Sequence, residues 1–162
     1  MTDKVVLLET EGAIARVTLN NPPVNAVSIR LLDALHAAFD EIERNKAIRC
    51  VILTGAGEKA FCAGADLRQE SSMSTPADGK AFRDYGRRTL QRIETFPRPI
   101  IAAIHGYCIG GGTALGWACD IRIAADNTLF RAADAYLGLV PSWGMGLTRL
   151  PRYAGRNRAL DI

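Results

Sequence analysis

The chain has 162 residues, with 20 Lys+Arg against 17 Asp+Glu, two His, four Cys and 15 Gly. At 48% hydrophobic and 23% charged, it is excluded from the disordered, coiled-coil and collagen-like classes. One domain over residues 1–162 is expected, large enough to bury a core without metal or disulfide staples. The net charge of +3 is too mild for a nucleic-acid reader, and no apolar run approaches the roughly 20 residues of a membrane span. The opening Met1-Thr2-Asp3-Lys4 carries no signal-peptide character, so the expected location is the cytoplasm, with no nucleic-acid or membrane partner.

In chain order, residues 5–9 and 13–19 read as two strands joined by a tight turn at Glu11-Gly12, and Asn20-Asn21-Pro22-Pro23 ends the second. Ser28 caps a helix in which Leu31, Leu32, Leu35, Phe39 and Ile42 recur at three-to-four spacing, with His36 at its surface. Residues 50–54, closed by Gly55, form an apolar run suited to a buried strand. Residues 71–79, rich in Ser, Thr, Pro, Asp and Gly, read as a mobile loop. A second amphipathic helix follows, with Phe82, Tyr85, Thr89 and Ile93 inward and Arg83, Arg87, Arg88 and Arg92 outward. It stops at Pro97 and Pro99. Residues 100–104 are another buried strand, Gly110-Gly111-Gly112 opens a helix through Ala118, and residues 121–125 are a strand. Short helices among glycines complete the chain. Alternating strands and helices predict an α/β layered fold with parallel strands.

Three glycine-bearing turns, over residues 55–64, 106–112 and 138–146, follow buried strands. Ligands in parallel α/β sheets sit at such carboxyl ends, where glycine lets backbone approach them. Gly110-Gly111-Gly112 either presents free N–H groups at a helix N-terminus or merely allows tight packing. Gly55-Ala56-Gly57-Glu58-Lys59-Ala60 matches a dinucleotide-binding pattern only weakly, because no helical period follows it. His105 and Cys108 form a conceivable nucleophile pair whose contact the spacing does not establish. The arginine face of the second helix is either solvated or available to ligand phosphates. Cys50, Cys62, Cys108 and Cys119 include no C-x-x-C pair, which predicts reduced, mostly buried thiols and no metal.

Five stretches, in order and spacing, resemble the crotonase family, the enoyl-CoA hydratase/isomerase superfamily. They are Asn21-Pro22-Pro23-Val24-Asn25-Ala26, Lys59-Ala60-Phe61-Cys62-Ala63-Gly64-Ala65-Asp66-Leu67, Gly106-Tyr107-Cys108-Ile109-Gly110-Gly111-Gly112, Ala118-Cys119-Asp120-Ile121-Arg122 and Leu137-Gly138-Leu139-Val140-Pro141. The resemblance implies a spiral of ββα units truncated after the core, without the C-terminal trimerisation helices. It implies acyl-CoA thioester chemistry, the N–H groups of Ala65 and Gly111 holding the thioester oxygen. Coenzyme A would be part of the substrate, with no separate cofactor. Val24, Ala26, Ala63, Gly64, Ala65, Asp66, Leu67 and Gly110 would line the CoA groove, and Tyr136, Ser142 and Trp143 would shape the acyl pocket. Asp66 and Asp120 are read as structural. The family's first glutamate falls on Ala114, which transfers no proton, and its second on Asp134, the remaining candidate acid–base or else a helix-cap aspartate. Family members run to about 260 residues, so a homo-oligomer, trimer or hexamer, is expected of a full-length chain. A non-catalytic CoA-ester binder is the alternative.

Overall fold

The computed structural model describes residues 4–132, 134, 138 and 146–160. Strands β1 (Val6–Glu11) and β2 (Ile14–Leu19) form an antiparallel hairpin, with Val6 opposite Leu19. The remaining pairings are parallel. β3 (Cys50–Gly55) lies beside β2, β5 (Ile100–Ile104) beside β3, and β7 (Ile121–Ala124) beside β5. A second, smaller parallel sheet holds β4 (Ala60–Cys62), β6 (Tyr107–Ile109) and β8 (Leu129–Arg131) in that order. Three parallel strands of the large sheet are thus each followed by a short strand of the small one: β3 by β4, β5 by β6, β7 by β8. Helices α2 (Leu67–Ser71) and α4 (Gly111–Ala118) follow the first two pairs. This is the expected winding of ββα units. The three short strands escape a periodicity reading because three residues show no period.

Helix α1 (Ile29–Arg44) starts where Ser28 accepts the Leu31 N–H at 3.2 Å. Its buried face, Leu31, Leu32, Leu35, Phe39 and Ile42, is the expected one. With Leu53, Phe61 and Ile100 it belongs to one core. Helix α3 (Pro76–Glu94) begins inside the segment read as a loop. The same Thr, Pro and Asp that suggested a loop form its start. Thr75 Oγ1 accepts the Asp78 N–H at 3.2 Å, Asp78 accepts the Thr75 N–H at 3.0 Å, and Pro76 sits where a helix needs no donor. Helices α5 (Gly146–Ala154) and α6 (Arg156–Leu160) follow.

The α1–α3 seam corrects two surface assignments. His36 is half-buried and stacks on Tyr85 with ring centroids 5.3 Å apart. Arg92, expected outward, lies across the seam. It donates to His36 Nδ1 at 3.1 Å, Asp40 at 2.6 Å and Glu43 at 2.9 Å. Because Arg is always a donor, Nδ1 accepts, and Nε2–H is left to donate to Thr89 Oγ1 at 2.9 Å. Arg87 and Arg88 are exposed as expected. Among the described residues no helix is long and apolar enough to cross a membrane.

Candidate active site

The loop between β2 and α1 is held by two asparagines. Asn25 is 2% exposed and adopts φ 54°, a left-handed conformation that Asn tolerates better than most residues. Its Oδ1 accepts the Asn21 N–H at 3.2 Å, and its Nδ2 donates to the carbonyls of Ala56 at 3.0 Å and Ala60 at 2.7 Å. Asn21 Nδ2 in turn donates to the Ala26 carbonyl at 2.7 Å. These bonds clamp Val24 and Ala26 against the end of β4, where the Ala63 N–H reaches the Val24 carbonyl at 3.0 Å.

Val27 then forms an isolated parallel bridge with Ala65. Its N–H donates to the Gly64 carbonyl at 2.7 Å, and its carbonyl accepts the Asp66 N–H at 2.8 Å. In a parallel bridge these bonds use the groups on either side of Ala65, so the N–H of Ala65 itself faces away from Val27. It has no acceptor among the described residues. Gly111, the first residue of α4, likewise has an N–H without an acceptor among them, as expected in a helix's first turn.

Two glycines bring these amides to one place. Gly64 has φ +92°, and a Cβ there would stand 2.9 Å from the Ile109 carbonyl oxygen and 3.3 Å from the Gly111 nitrogen. A Cβ on Gly112 would stand 2.0 Å from the Cys62 carbonyl oxygen. No side chain fits at either point, so the start of α4 lies directly on the end of β4. The positive end of the α4 dipole faces the same place.

The result is a cavity of about 590 Å³ at the carboxyl ends of β4 and β6. Of the candidate residues, Val24, Ala26, Ala63, Gly64, Ala65, Asp66, Leu67, Gly110, Gly111 and Asp134 all line it. Tyr136, Ser142 and Trp143 lie outside the described residues. Asp134 is half-buried, its Oδ2 3.7 Å from where a Cβ on Gly110 would sit. Ala114 is 1% exposed within α4. Asp66 caps α2 by accepting the Arg68 N–H at 3.0 Å, and Asp120 ties β5 down by accepting the Ile100 N–H at 2.8 Å. Both keep the structural role expected of them.

Glu70 also lines the cavity, and the sequence reasoning missed it. Burial pushes its carboxyl above the usual range, and the charge of Asp134 adds to that, with Arg83 opposing. The available signal was its position one helical turn beyond Asp66, so that it shares a face with the cap. Two readings that the sequence offered only weakly, a dinucleotide turn and a Cys–His pair, find no support here. Residues 55–60 run into strand β4 rather than a helix, so no dinucleotide turn forms. Cys108 is fully buried, and burial pushes its thiol far up. His105 Nε2 is buried without a hydrogen-bond partner among the described residues, so no Cys–His couple exists. Cys62 and Cys119 are pushed up to about 12 by burial, and the four cysteines are unpaired. Among the described residues no His, Cys, Asp and Glu cluster could hold a metal ion. Arg87, Arg88 and Arg92 do not line the cavity.

Paired sheets wound in ββα units, with a cavity at the ends of the short strands, define a class of α/β fold. Within it, the sequence profile of the enoyl-CoA hydratase/isomerase family matches residues 9–162, and the chain belongs to that family. It is 41% identical over 158 residues to the short-chain-enoyl-CoA hydratase of Clostridium acetobutylicum, covering 97% of this chain and 60% of that protein. It is 40% identical over 157 residues to a probable enoyl-CoA hydratase of Bacillus subtilis, with the same two coverages. The crystal structure of an enoyl-CoA hydratase from Bacillus anthracis superposes with a TM-score of 0.91 at 37% identity, covering 97% of this chain and 61% of that one. The chain thus spans about 60% of the length of the curated relatives it matches.

Proposed function

We propose that this chain binds an acyl-CoA thioester and stabilises its enolate. The observation that carries the reading is the pair of N–H groups, Ala65 and Gly111, brought to one cavity with no acceptor of their own among the described residues. When a proton leaves Cα, or a nucleophile adds at Cβ, negative charge develops on the thioester oxygen. Preorganised main-chain donors beside a helix N-terminus favour that charge, and losing one such donor typically costs about 3 kcal/mol of barrier. The nucleotide and pantetheine of CoA lie along Val24, Ala26 and residues 63–67, and CoA enters as part of the substrate, without a separate cofactor. Asp134 is the acid–base group next to the reacting carbons. Crotonyl-CoA hydration and 3-enoyl-CoA isomerisation are the assays. In Asp134→Asn, turnover should vanish while the Kd for the CoA ester stays within about threefold; unchanged turnover removes the role.

A second reading is favoured by one observation, the methyl group of Ala114 where the resemblance places a glutamate. It makes the chain a non-catalytic CoA-ester binder. Tight ester binding with neither hydration nor isomerisation would establish it. The chain is further proposed to work in the cytoplasm as a homo-oligomer, a trimer or hexamer.

A further inference from the structure

Helix α4 offers the cavity no proton donor. Its first turn is Gly111, Gly112, Thr113 and Ala114, and the Thr113 hydroxyl is already donating to the Gly110 carbonyl at 2.6 Å. Three carboxyls nevertheless line the cavity; Asp66 is taken up in capping α2, which leaves Asp134 from beyond β8 and Glu70 from α2. Glu70 is set in place by its own helix: its N–H donates to the Asp66 carbonyl at 3.0 Å, and Asp66 is clamped to Val27.

We propose that Glu70 is the second acid–base carboxyl of this cavity, supplying the proton that Ala114 cannot, so that the chain adds and removes water rather than only shifting a double bond. The inference rests on the acyl-CoA reading above.

Burial in the cavity and the charge of Asp134 both push the Glu70 carboxyl above the usual range. The other charges near Glu70 are Asp66 and Arg68 on α2 and Arg83 on α3. The Asp66 carboxylate is committed to the Arg68 N–H. A carboxyl held above its usual range keeps its proton more readily, which casts Glu70 as the acid and Asp134 as the base. In hydration, Asp134 takes a proton from water as the water oxygen bonds to Cβ. The π pair of the double bond moves onto the thioester oxygen, giving the enolate. The enolate collapses and takes the Glu70 proton at Cα. Asp134 has then gained one proton and Glu70 has lost one, and transfer between them through solvent restores the starting state. The net change is the addition of one water.

The test is hydration of crotonyl-CoA by the wild type and by Glu70→Gln, with KM and the pH profile of kcat. Glu70→Gln should lower kcat about 100-fold with KM within about threefold, and Glu70→Asp should restore part of it. The wild-type profile should be bell-shaped, and Glu70→Gln should lose its alkaline limb, because that limb reports the protonated acid. A loss below about tenfold, or an alkaline limb that survives, overturns the proposal. If Glu70→Gln does not fold by circular dichroism, the wild-type profile decides, and an acidic limb alone overturns the role. The two layers separate cleanly. A wild type that hydrates equally well as Glu70→Gln removes Glu70 alone, whereas a wild type that does not bind the ester removes the acyl-CoA reading with it.

Discussion

At the scale of single residues, the cavity exists because a few positions carry no side chain. Gly112 is the sharpest case. A methyl group there would sit 2.0 Å from a backbone carbonyl of β4, and backbone cannot swing aside as a flexible side chain can. Gly112→Ala must lift α4 off β4. The expected cost is about 3 kcal/mol, at the upper end for overpacked sites, with the Gly111 amide displaced as well. Urea denaturation of the variant should show this as a lower midpoint, and an unchanged midpoint would contradict the contact. Asn25 belongs to the same scale. It combines a left-handed backbone, near-complete burial and three side-chain hydrogen bonds, so the loop bearing Val24 and Ala26 depends on it.

At the scale of elements, the seam between α1 and α3 is polar at its middle, and it titrates. His36 is neutral there, and its pKa is lowered from 6.5 by burial first and then by the Arg92 guanidinium, with Asp40 and Asp33 pulling the other way and Arg88 adding slightly. A depressed folded value means that the unfolded chain takes up the proton first. His36 therefore contributes full stability above about pH 6.5, and that contribution is lost as pH falls below it. His36→Gln should flatten the loss of melting temperature between neutral pH and about pH 5, and a slope equal to wild type would rule the histidine out as its source. Asp40 acts lower still. Its hydrogen bond from Arg92 holds its carboxyl below the usual range, so it loses its contribution only as pH falls past 3.8.

At the scale of the whole molecule, the two sheets end differently. β1 closes the large sheet on one side with a polar face, whereas β7 closes the other with Ile121 and Ile123, 50% and 61% exposed. Leu129 on β8, the edge of the small sheet, is 45% exposed. An apolar edge strand with free backbone groups favours association, which fits the proposed oligomer. Ile123→Lys should lower the mass seen by light scattering at a given concentration. The side chain is exposed, so the melting temperature of the dissociated chain should stay within about 2 °C. A variant that associates like wild type would place the contact elsewhere.

Elements with a local signature were legible in the sequence: α1 with its period and Ser28 cap, the apolar runs at 50–54 and 100–104, and the helix opened by Gly110-Gly111-Gly112. Each states its pattern within a few turns or alternations, and that local pattern is enough. The start of α3 was misread because Thr75, Pro76 and Asp78 serve a loop or a helix cap equally well until the hydrogen bonds are known. Ordered motifs also pointed to the family and to most of the cavity wall. Tertiary structure alone decided the rest. The pairing of three-residue strands, the burial of His36 and Arg92 in the α1–α3 seam, and the meeting of Glu70 with Asp134 all join residues about 50 or more positions apart in the chain, or strands too short to show a period. Such meetings depend on how the layers close over the core, and no short window of sequence contains that information.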